Sequence, residues 1–446
     1  MQVEFVSNAS LVIRAGGVTI LTDPWYSPGI YYGTWYPFPP LSEADLARYK
    51  GLKPDAIYIS HIHPDHLDVD TLRAFEPDTP ILIGKLPHPH LERSIKSLGF
   101  SDLRVLPFGE AYAFKGLTLT ILGPFHETSE GFVDAVDYDM DTSLIVQDGG
   151  GRQLLNINDN PIKPDDAEAL NARYGTFDLA ILPYGGASSY PHAFPQYDAL
   201  DKRERTEALS KRMLARLVKL GKILEPKVTL PAAGSYVHGG ATSRHNPYLH
   251  QACPDEIEAA WSAAIPETSQ CIFPLTGDIF DASGCIHRVA DHPYRGYDAL
   301  QREAYGKTLA ANPLSHEEVS ISADFRVPWP RLLFKARANL WRMQQRLELT
   351  PAVDLTLHIV CSDVLGSAQP PERFAFALDS EGEGRSEGSE GERVRMSYTI
   401  DERLLLMVLI GAAHWNNIEI GALVDIERDP DVFNPTIHSL MSFFTL

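Results

Sequence analysis

The segment SHIHPDHLD, residues 60–68, brings together four metal-binding side chains: His61, His63, Asp65 and His66. His61 and His63 stand two residues apart after the apolar run AIYIS, so both side chains project from one face of a predicted strand. Imidazole suits zinc, iron or manganese, and a neighbouring carboxylate suits a second, harder ion. A solvated histidine-rich loop or a helix cap is the alternative, but this spacing after a buried strand favours a metal centre.

The elements that must position these residues are short strands interspersed with helices. Strands are predicted at 3–6, 11–14, 18–21, 56–59, 81–83, 103–106, 117–122, 143–146, 153–157 and 179–182. Helices are predicted at 42–50, 68–76, 91–98, 164–174 and 199–221, the last with Gly221 as its C-terminal stop. No glycine-rich dinucleotide fingerprint follows the first strand, so the pattern predicts a layered α/β architecture other than a Rossmann fold.

The chain has 446 residues, more than one hydrophobic core usually supports. After about residue 290 the pattern of predicted elements changes, with a helix predicted at 331–349 and strands at 354–360 and 394–400. We therefore predict two domains. A catalytic domain covers 1–290, and a smaller C-terminal accessory α+β domain covers 291–446.

Composition excludes several classes of partner. A formal net charge of −20 argues against nucleic acid and against an anionic membrane, since both require clustered Lys and Arg. The longest apolar stretch, LLLMVLIGAA at 404–413, is about half of what a membrane span needs. The N-terminus shows no secretory signal, and the four cysteines form no CxxC pair. The sequence therefore predicts a cytoplasmic protein without an in-chain Rieske cluster or zinc finger.

The motif HIHPDH at 61–66 resembles the HxHxDH signature of the metallo-β-lactamase superfamily, and TDPW at 22–25 resembles the early aspartate of that superfamily. DMDTSLIV, LLNINDN, YGGASSYP, EPKVTLPAAGSYV and the late WNNIEIG resemble one branch, the CMP-N-acetylneuraminate hydroxylase-like proteins. The resemblance spans most of the chain and implies an αββα sandwich with metals at one rim of its two sheets. Those hydroxylases carry an N-terminal Rieske domain that is not seen here, so an external electron donor is expected.

The resemblance also implies a ligand set for two metal ions. His61 and His63 should hold the first ion, Asp65 and His66 the second, and Asp159 in NINDN should bridge them. From the local sequence alone, an Asx turn before 160–161 would explain Asp159 equally well. The last histidine of the superfamily falls in the stretch after PAAGSYV, where the candidates are His238 and, as an alternative, His245. Asp65 and Asp159 are the expected catalytic residues.

A carboxylate stands where the superfamily has its third histidine. Asp137, in VDYDMDT, occupies this position, and His126 in GPFHE competes with it because it also follows a strand. Asp137 as a solvated acid in a loop with Asp134, Asp139 and Asp141 is the other interpretation. As a ligand, Asp137 would favour iron or manganese over zinc, and carboxylate substitution here resembles the diiron oxygenase branch of the superfamily.

An aromatic loop, WYSPGIYYGTWYPF at 25–38, would lie beside the metals in this fold. It is interpreted either as a lid over the substrate or as packing against the second domain. The candidate substrate contacts are Trp25, Tyr26, Tyr31, Tyr32 and Trp35, together with Ser188 in YGGASSYP. The basic helix within 199–221 is either a solvated face or a guide for an anionic, sugar-nucleotide-like small molecule.

These observations favour a dinuclear, O2-dependent iron oxygenase, a hydroxylase, with zinc or manganese as alternative metals. The first alternative is a metal-dependent hydrolase in which a metal-bound water attacks a lactone, ester, amide or phosphodiester. The second is a non-catalytic protein that uses its metals structurally. Structural sites are normally closed by four ligands, so a larger donor set beside an aromatic loop argues against it.

Overall fold

The computed structural model describes residues 1–125, 141–320, 326–361, 370–381 and 393–446. The strands of the first 290 residues are β1 (Gln2–Ser7), β2 (Ser10–Ala15), β3 (Val18–Thr22), β4 (Trp35–Pro37), β5 (Ala56–Tyr58), β6 (Ile81–Gly84), β7 (Leu103–Leu106), β8 (Tyr112–Phe114), β9 (Leu117–Leu122), β10 (Ser143–Gln147), β11 (Gln153–Asn156), β12 (Leu179–Pro183), β13 (Val228–Ala232), β14 (Tyr236–His238), β15 (Gln270–Cys271), β16 (Ile279–Asp281) and β17 (Ile286–His287). The helices of this part are α1 (Ile30–Gly33), α2 (Glu43–Lys50), α3 (Val69–Leu72), α4 (His90–Ser97), α5 (Pro164–Tyr174), α6 (Ala199–Leu224) and α7 (Pro254–Ser262).

Two sheets pack face to face in this part of the chain. One has eight strands in the order β17-β16-β1-β2-β3-β5-β6-β7, and the other has seven in the order β15-β13-β12-β11-β10-β9-β8. Apolar side chains from both inner faces, such as Ile13 and Ile181, form one continuous core. Helices α2, α3 and α4 cover the outer face of the first sheet, and α5, α6 and α7 cover the second. The predicted αββα sandwich is confirmed.

The strands that lead to the candidate site run parallel. In the first sheet β3, β5, β6 and β7 are parallel neighbours, and in the second β11, β12, β13 and β15 are. Strands β5, β12 and β13 are entirely buried, which explains their unbroken apolar sequences. Because the carboxyl ends of parallel strands meet at one edge, the loops after these strands gather at one rim of the sandwich.

The remainder of the chain adds a four-stranded sheet. Its strands are β18 (Val353–Val360), β19 (Arg373–Ala377), β20 (Val394–Asp401) and β21 (Asp425–Asp429), in the order β19-β18-β20-β21. The helices are α8 (Ala299–Thr308), α9 (Trp329–Leu347), α10 (Glu402–Leu409), α11 (Trp415–Ile420) and α12 (Pro435–Met441). Alternate residues of β18 and β20 are buried against α9, α10 and α12, giving this part its own core. No described helix combines the length and apolarity needed to cross a bilayer.

The predicted domain boundary at residue 290 stays a prediction. Helix α8 follows that boundary in the sequence, yet it packs against β14 and the 3-10 segment Gly240–Tyr248. The strands of the two large sheets all lie before residue 290, and those of the small sheet all lie after it. The sheets therefore follow the predicted division, while the helices connect its two sides.

The C-terminal ends of two predicted helices are wrong. The helix expected at 68–76 is reduced to Val69–Leu72, which Asp68 caps by accepting backbone N–H groups of Asp70 and Thr71. Helix α6 continues past Gly221 to Leu224, so this glycine is not a stop. A Cβ atom on Gly221 would lie 2.2 Å from the ring of Trp261 on α7. Gly221 therefore allows two helices to pack closely and does not end the helix.

Replacing Gly221 with Ala should destabilise the protein although Ala favours helix. We expect the free energy of unfolding to fall by about 1–3 kcal/mol, because the methyl group overpacks the contact with Trp261. Denaturant unfolding followed by circular dichroism measures this. In a Trp261→Leu background the same substitution should cost much less. A Gly221→Ala protein at least as stable as the parent would contradict the packing role.

Candidate metal centre

A hydrogen-bond relay orients the first histidine. Asp23, just after β3, is fully buried and accepts hydrogen bonds from the Ser60 backbone N–H at 2.8 Å and the Ser60 hydroxyl at 3.0 Å. The Ser60 Oγ lies 2.9 Å from Nδ1 of His61, in the loop after β5. The relay leaves Nε2 of His61 pointing into the rim, where it can bind a metal.

The first donor group contains His61, His63 and Asp141. Nε2 of His61 lies 2.9 Å from Nδ1 of His63 and 3.2 Å from Oδ1 of Asp141. Thr142, next to Asp141, donates its hydroxyl to the Ser60 carbonyl oxygen at 2.7 Å, and its Oγ1 lies 2.7 Å from the Tyr58 hydroxyl. These contacts hold the start of β10 against the end of β5 and so bring a carboxylate from one sheet to the histidines of the other.

The second donor group lies around His66. Nε2 of His66 is 3.2 Å from a carboxylate oxygen of Asp65 and 3.2 Å from one of Asp159. The carboxylate of Asp65 accepts a hydrogen bond from the Tyr31 hydroxyl at 2.7 Å and another from the Asn8 amide at 3.1 Å. Asp159 is the more accessible acid, because its side chain is 29% exposed whereas that of Asp65 is 6% exposed.

The geometry of the donor atoms fits metal ions. Ligand atoms of His61, His63 and Asp141 lie within 4.8 Å of one another, and so do those of His61, His66 and Asp159. Buried Nε2 of His66 makes a well-aligned hydrogen bond to neither neighbouring carboxylate, although both are close. Buried nitrogen atoms normally have a partner. An ion between this nitrogen and the oxygens would provide one.

The charges at the site also suit metal binding. Burial, together with positive charge on His66 and His63, holds the pKa of His61 well below its usual value, so this imidazole is neutral. Burial alone would raise the pKa of Asp65, but the charge and hydrogen bond of His66 lower it to about 2. Neutral imidazoles and ionised carboxylates are the forms that bind metals. His61 and Asp65 are therefore ready to bind, whereas His66, whose pKa the charges of Asp65 and Asp159 raise in spite of its burial, loses a proton when a metal binds.

Two candidates for the third position, Asp137 and His126, lie outside the described residues, so their placement stays a prediction. The structure brings Asp141 to the histidines. From the sequence, Asp141 is interpreted only as a solvated acid of the same loop. One signal for Asp141 was available, because it stands two residues before β10, where the rim begins.

The last predicted ligand, His238, lies elsewhere. It ends β14, which pairs with β4 and not with the parallel strands, so its ring packs near His192 and His245, with centroids 5.4 and 6.1 Å away. Burial lowers the pKa of His238 to about 3. Ala233 and Gly234, which follow β13, line the cavity at the donor side chains. His238 and its alternative His245 are thus neighbours of each other, and a ligand role for either stays a prediction.

The aromatic loop packs into the protein. Trp25, Tyr26, Tyr31 and Trp35 are at most 2% exposed, and the Trp35 ring stacks on Tyr236 with centroids 3.4 Å apart. Tyr32 is half-buried, and its hydroxyl accepts the backbone N–H of His414 at 2.7 Å. The loop therefore joins the rim to the C-terminal segment. Trp35 also lines the cavity at the donors, and Ser188 lines a cavity next to it.

Sequence reasoning missed Asn416. This residue, on α11, has its side-chain oxygen 3.1 Å from Nε2 of His63, and the two residues are 353 positions apart. Because Nδ1 of His63 faces His61 and Asp141, an N–H on Nε2 can donate to Asn416. Such a bond fixes the tautomer and orientation of a metal-binding histidine. The stretch WNNIEIG at 415–421 gave the only signal, and the role of Asn416 depends on tertiary contact.

Comparison with known proteins agrees with this architecture. Residues 2–190 match the family described as Beta-lactamase superfamily domain. Cytidine monophosphate-N-acetylneuraminic acid hydroxylase of Mus musculus is 29% identical over 255 residues, covering 55% of this chain and 41% of that protein. A Mycobacterium tuberculosis protein named for a Rieske 2Fe-2S iron-sulfur centre is 30% identical over 199 residues, covering 44% of this chain and 36% of that protein. The chain therefore spans less than half the length of these relatives, and the predicted resemblance is confirmed.

Solved structures with a similar fold have different activities. CmlA, a diiron β-hydroxylase from Streptomyces venezuelae, has 19% identity and a TM-score of 0.39, over 62% of this chain and 53% of that one. An isothiocyanate hydrolase from Delia radicum gut bacteria has 17% identity and a TM-score of 0.45, over 63% and 99%. At such TM-scores neither likeness distinguishes hydroxylation from hydrolysis.

Replacing Asp141 with Asn removes a charged donor and keeps the size of the side chain. We expect about one metal ion fewer per chain, because one donor group loses its carboxylate. Elemental mass spectrometry of the purified protein measures this, with Asp165→Asn on the exposed start of α5 as the matched control. If Asp137→Asn loses metal and Asp141→Asn keeps it, the assignment of Asp141 is wrong.

Replacing Asn416 with Leu should weaken metal binding by roughly 10- to 100-fold, the usual effect of losing a partner that orients a ligand. The variant Asn416→Asp keeps an oxygen acceptor at the same place and should bind more tightly than Asn416→Leu. Competition for zinc against a chromophoric chelator measures both affinities. Equal affinities for the parent protein and Asn416→Leu would show that the contact with His63 does not matter.

Proposed function

We propose that the chain, whose residues 2–190 match the family described as Beta-lactamase superfamily domain, is an O2-dependent hydroxylase with two iron ions. The observation that carries the proposal is the carboxylate of Asp141 beside His61 and His63. An oxygen donor at this position makes the site harder, and harder sites favour iron or manganese over zinc. The hydroxylase relative, which matches more than half of this chain, supports the same choice.

The proposed ligands divide between the two donor groups. His61, His63 and Asp141 would hold one ion, and Asp65, His66 and Asp159 would hold the other. This set gives each ion both nitrogen and oxygen donors, as expected for iron in proteins.

When bound, the two irons supply the O2 and one-electron chemistry that side chains lack. Hydroxylation consumes O2, two electrons and two protons, and it yields a hydroxylated product and one water. Asp159, the more accessible carboxylate, faces the cavity and can accept a hydrogen bond from the reacting molecule. The Tyr31 hydroxyl holds the carboxylate of Asp65 in place by a hydrogen bond.

The electrons must come from a donor. In the part of the chain that the structure describes, Cys253, Cys271, Cys285 and Cys361 form no disulfide, and none belongs to a group of potential metal ligands. We therefore propose that a separate protein reduces the centre.

The substrate would be a small molecule, because the cavity at the donors has a volume of about 260 Å³.

Hydrolysis is the alternative function. The exposed carboxylate of Asp159 beside two donor groups is also suited to orienting a metal-bound water for attack on a lactone, ester, amide or phosphodiester. The two functions differ in their metal and in their need for a reductant, and one set of measurements separates them.

The test begins with metal content. Protein expressed in medium containing both iron and zinc and purified without oxygen should contain about two irons per chain by elemental mass spectrometry. After chemical reduction it should consume O2 faster than Asp141→Asn does, and Asp165→Asn should match the parent. Zinc at the site, with cleavage of a lactone or phosphodiester in the absence of any reductant, would replace the proposal with hydrolysis.

A further inference from the structure

We propose that the substrate carries an oxyanion, a phosphate or carboxylate group, that binds between Arg212 and Arg216 on helix α6. This inference rests on the proposed function only in taking the metal centre as the place of reaction. It assigns a role to the face of the basic helix that points toward the centre.

Two adjoining cavities lead from the surface to the donors. The inner cavity, of about 260 Å³, is lined by Asp141, Asp159 and Arg216. The outer cavity, of about 650 Å³, is lined by Arg212 and by residues of the C-terminal segment. Gly186, Ala187 and Met213 line both cavities, so the two are continuous at this point. A molecule in the outer cavity therefore reaches the metals past Met213.

Arg212 and Arg216 are four residues apart and lie on the same face of α6. Arg212 is exposed to the outer cavity, whereas Arg216 is partly buried at the inner one. The two guanidinium groups thus mark successive positions along the route to the metals.

Neither arginine has a carboxylate partner among the described residues. The guanidinium of Arg216 donates to the carbonyl oxygen of Ile162 at 3.1 Å, and burial lowers its pKa with no nearby acid to offset the effect. Two other cations of the same helix do have carboxylate partners, since Lys211 pairs with Glu207 at 2.6 Å and Arg205 with Asp431 at 3.3 Å. A partly buried arginine stays charged, and an unpaired buried charge is costly. An anionic ligand would remove that cost.

The remaining charged groups of the outer cavity have partners. Arg428 pairs with Asp431 at 2.9 Å, and His438 lies 2.8 Å from Glu419. Burial and the charge of Arg212 lower the pKa of His250 to about 4, so this histidine is neutral. Arg205 and Arg428 share the single carboxylate of Asp431. Among the described residues, Arg212 and Arg216 are the arginines of the two cavities that have no carboxylate partner at all.

The shape of the outer cavity indicates an organic anion. Its wall includes the apolar side chains Phe194, Ile426 and Phe433. The bond that reacts must face the metal centre, so the anionic group belongs at the arginines and an uncharged part of the molecule reaches the inner cavity. Arginine suits this task because its planar fork binds phosphate and carboxylate with two hydrogen bonds.

Calorimetric titration of the metal-loaded protein with three probes tests the proposal. Phenyl phosphate and benzoate carry the two candidate anions, and benzamide is the uncharged control. At least one anion should bind more tightly than benzamide, and the tighter one identifies the group. In Arg212→Met and Arg216→Met its affinity should fall about tenfold or more, the loss expected for a charge-assisted hydrogen bond. Lys219→Met, exposed on the same helix, should bind like the parent.

Three results would overturn the proposal. They are no preference for either anion over benzamide, unchanged affinity in both arginine variants, and an equal loss in Lys219→Met. Circular dichroism checks the fold of each variant, and Arg216→Lys, which keeps the charge, should bind better than Arg216→Met. Failure of the hydroxylase proposal is visible separately, because zinc content and hydrolysis would leave anion binding at the arginines unchanged.

Discussion

The site depends on the hydrogen bonds that converge on Ser60 and its partner Asp23. Through them, the ends of four strands meet: Asp23 follows β3, Ser60 follows β5, Thr142 precedes β10, and Asn158 follows β11. Asn158 has a φ of 59°, a conformation that asparagine tolerates, and its amide donates to Asp23 at 2.6 Å. All four residues are at most 1% exposed, so water cannot replace these bonds. The donors His61, Asp141 and Asp159 each adjoin one member of this network.

The C-terminal segment is part of the same site. Asn416 contacts His63, and the backbone of His414 contacts Tyr32, so α11 touches both the donors and the aromatic loop. The outer cavity also lies between this segment and the sandwich. Because this segment orients a donor and forms part of the cavity that leads to it, a change in the segment should affect both metal binding and substrate choice. A change in an accessory domain without such contacts should not.

Donor chemistry and charge distribution support one coherent function. Carboxylates concentrate at the inner end of the route, and the two arginines without a described carboxylate partner line its outer and inner cavities in turn. In a chain with a net charge of −20, an anionic molecule needs such local compensation to approach the rim. The same arrangement turns the uncharged part of the molecule toward the proposed irons.

The residue pattern alone predicted a layered α/β fold and the centre of the site, and the resemblance to the metallo-β-lactamase superfamily implied the sandwich. Residue types and spacing identified His61, His63, Asp65 and His66, because they follow one buried strand and local geometry gathers them. The tertiary structure decided which distant groups join them. It brought Asp141 and Asn416 to the histidines, set His238 beside His192, and packed Gly221 inside a helix against Trp261. These outcomes depend on which strand and helix ends meet when two sheets and a C-terminal segment close together, and no short stretch of sequence encodes that meeting.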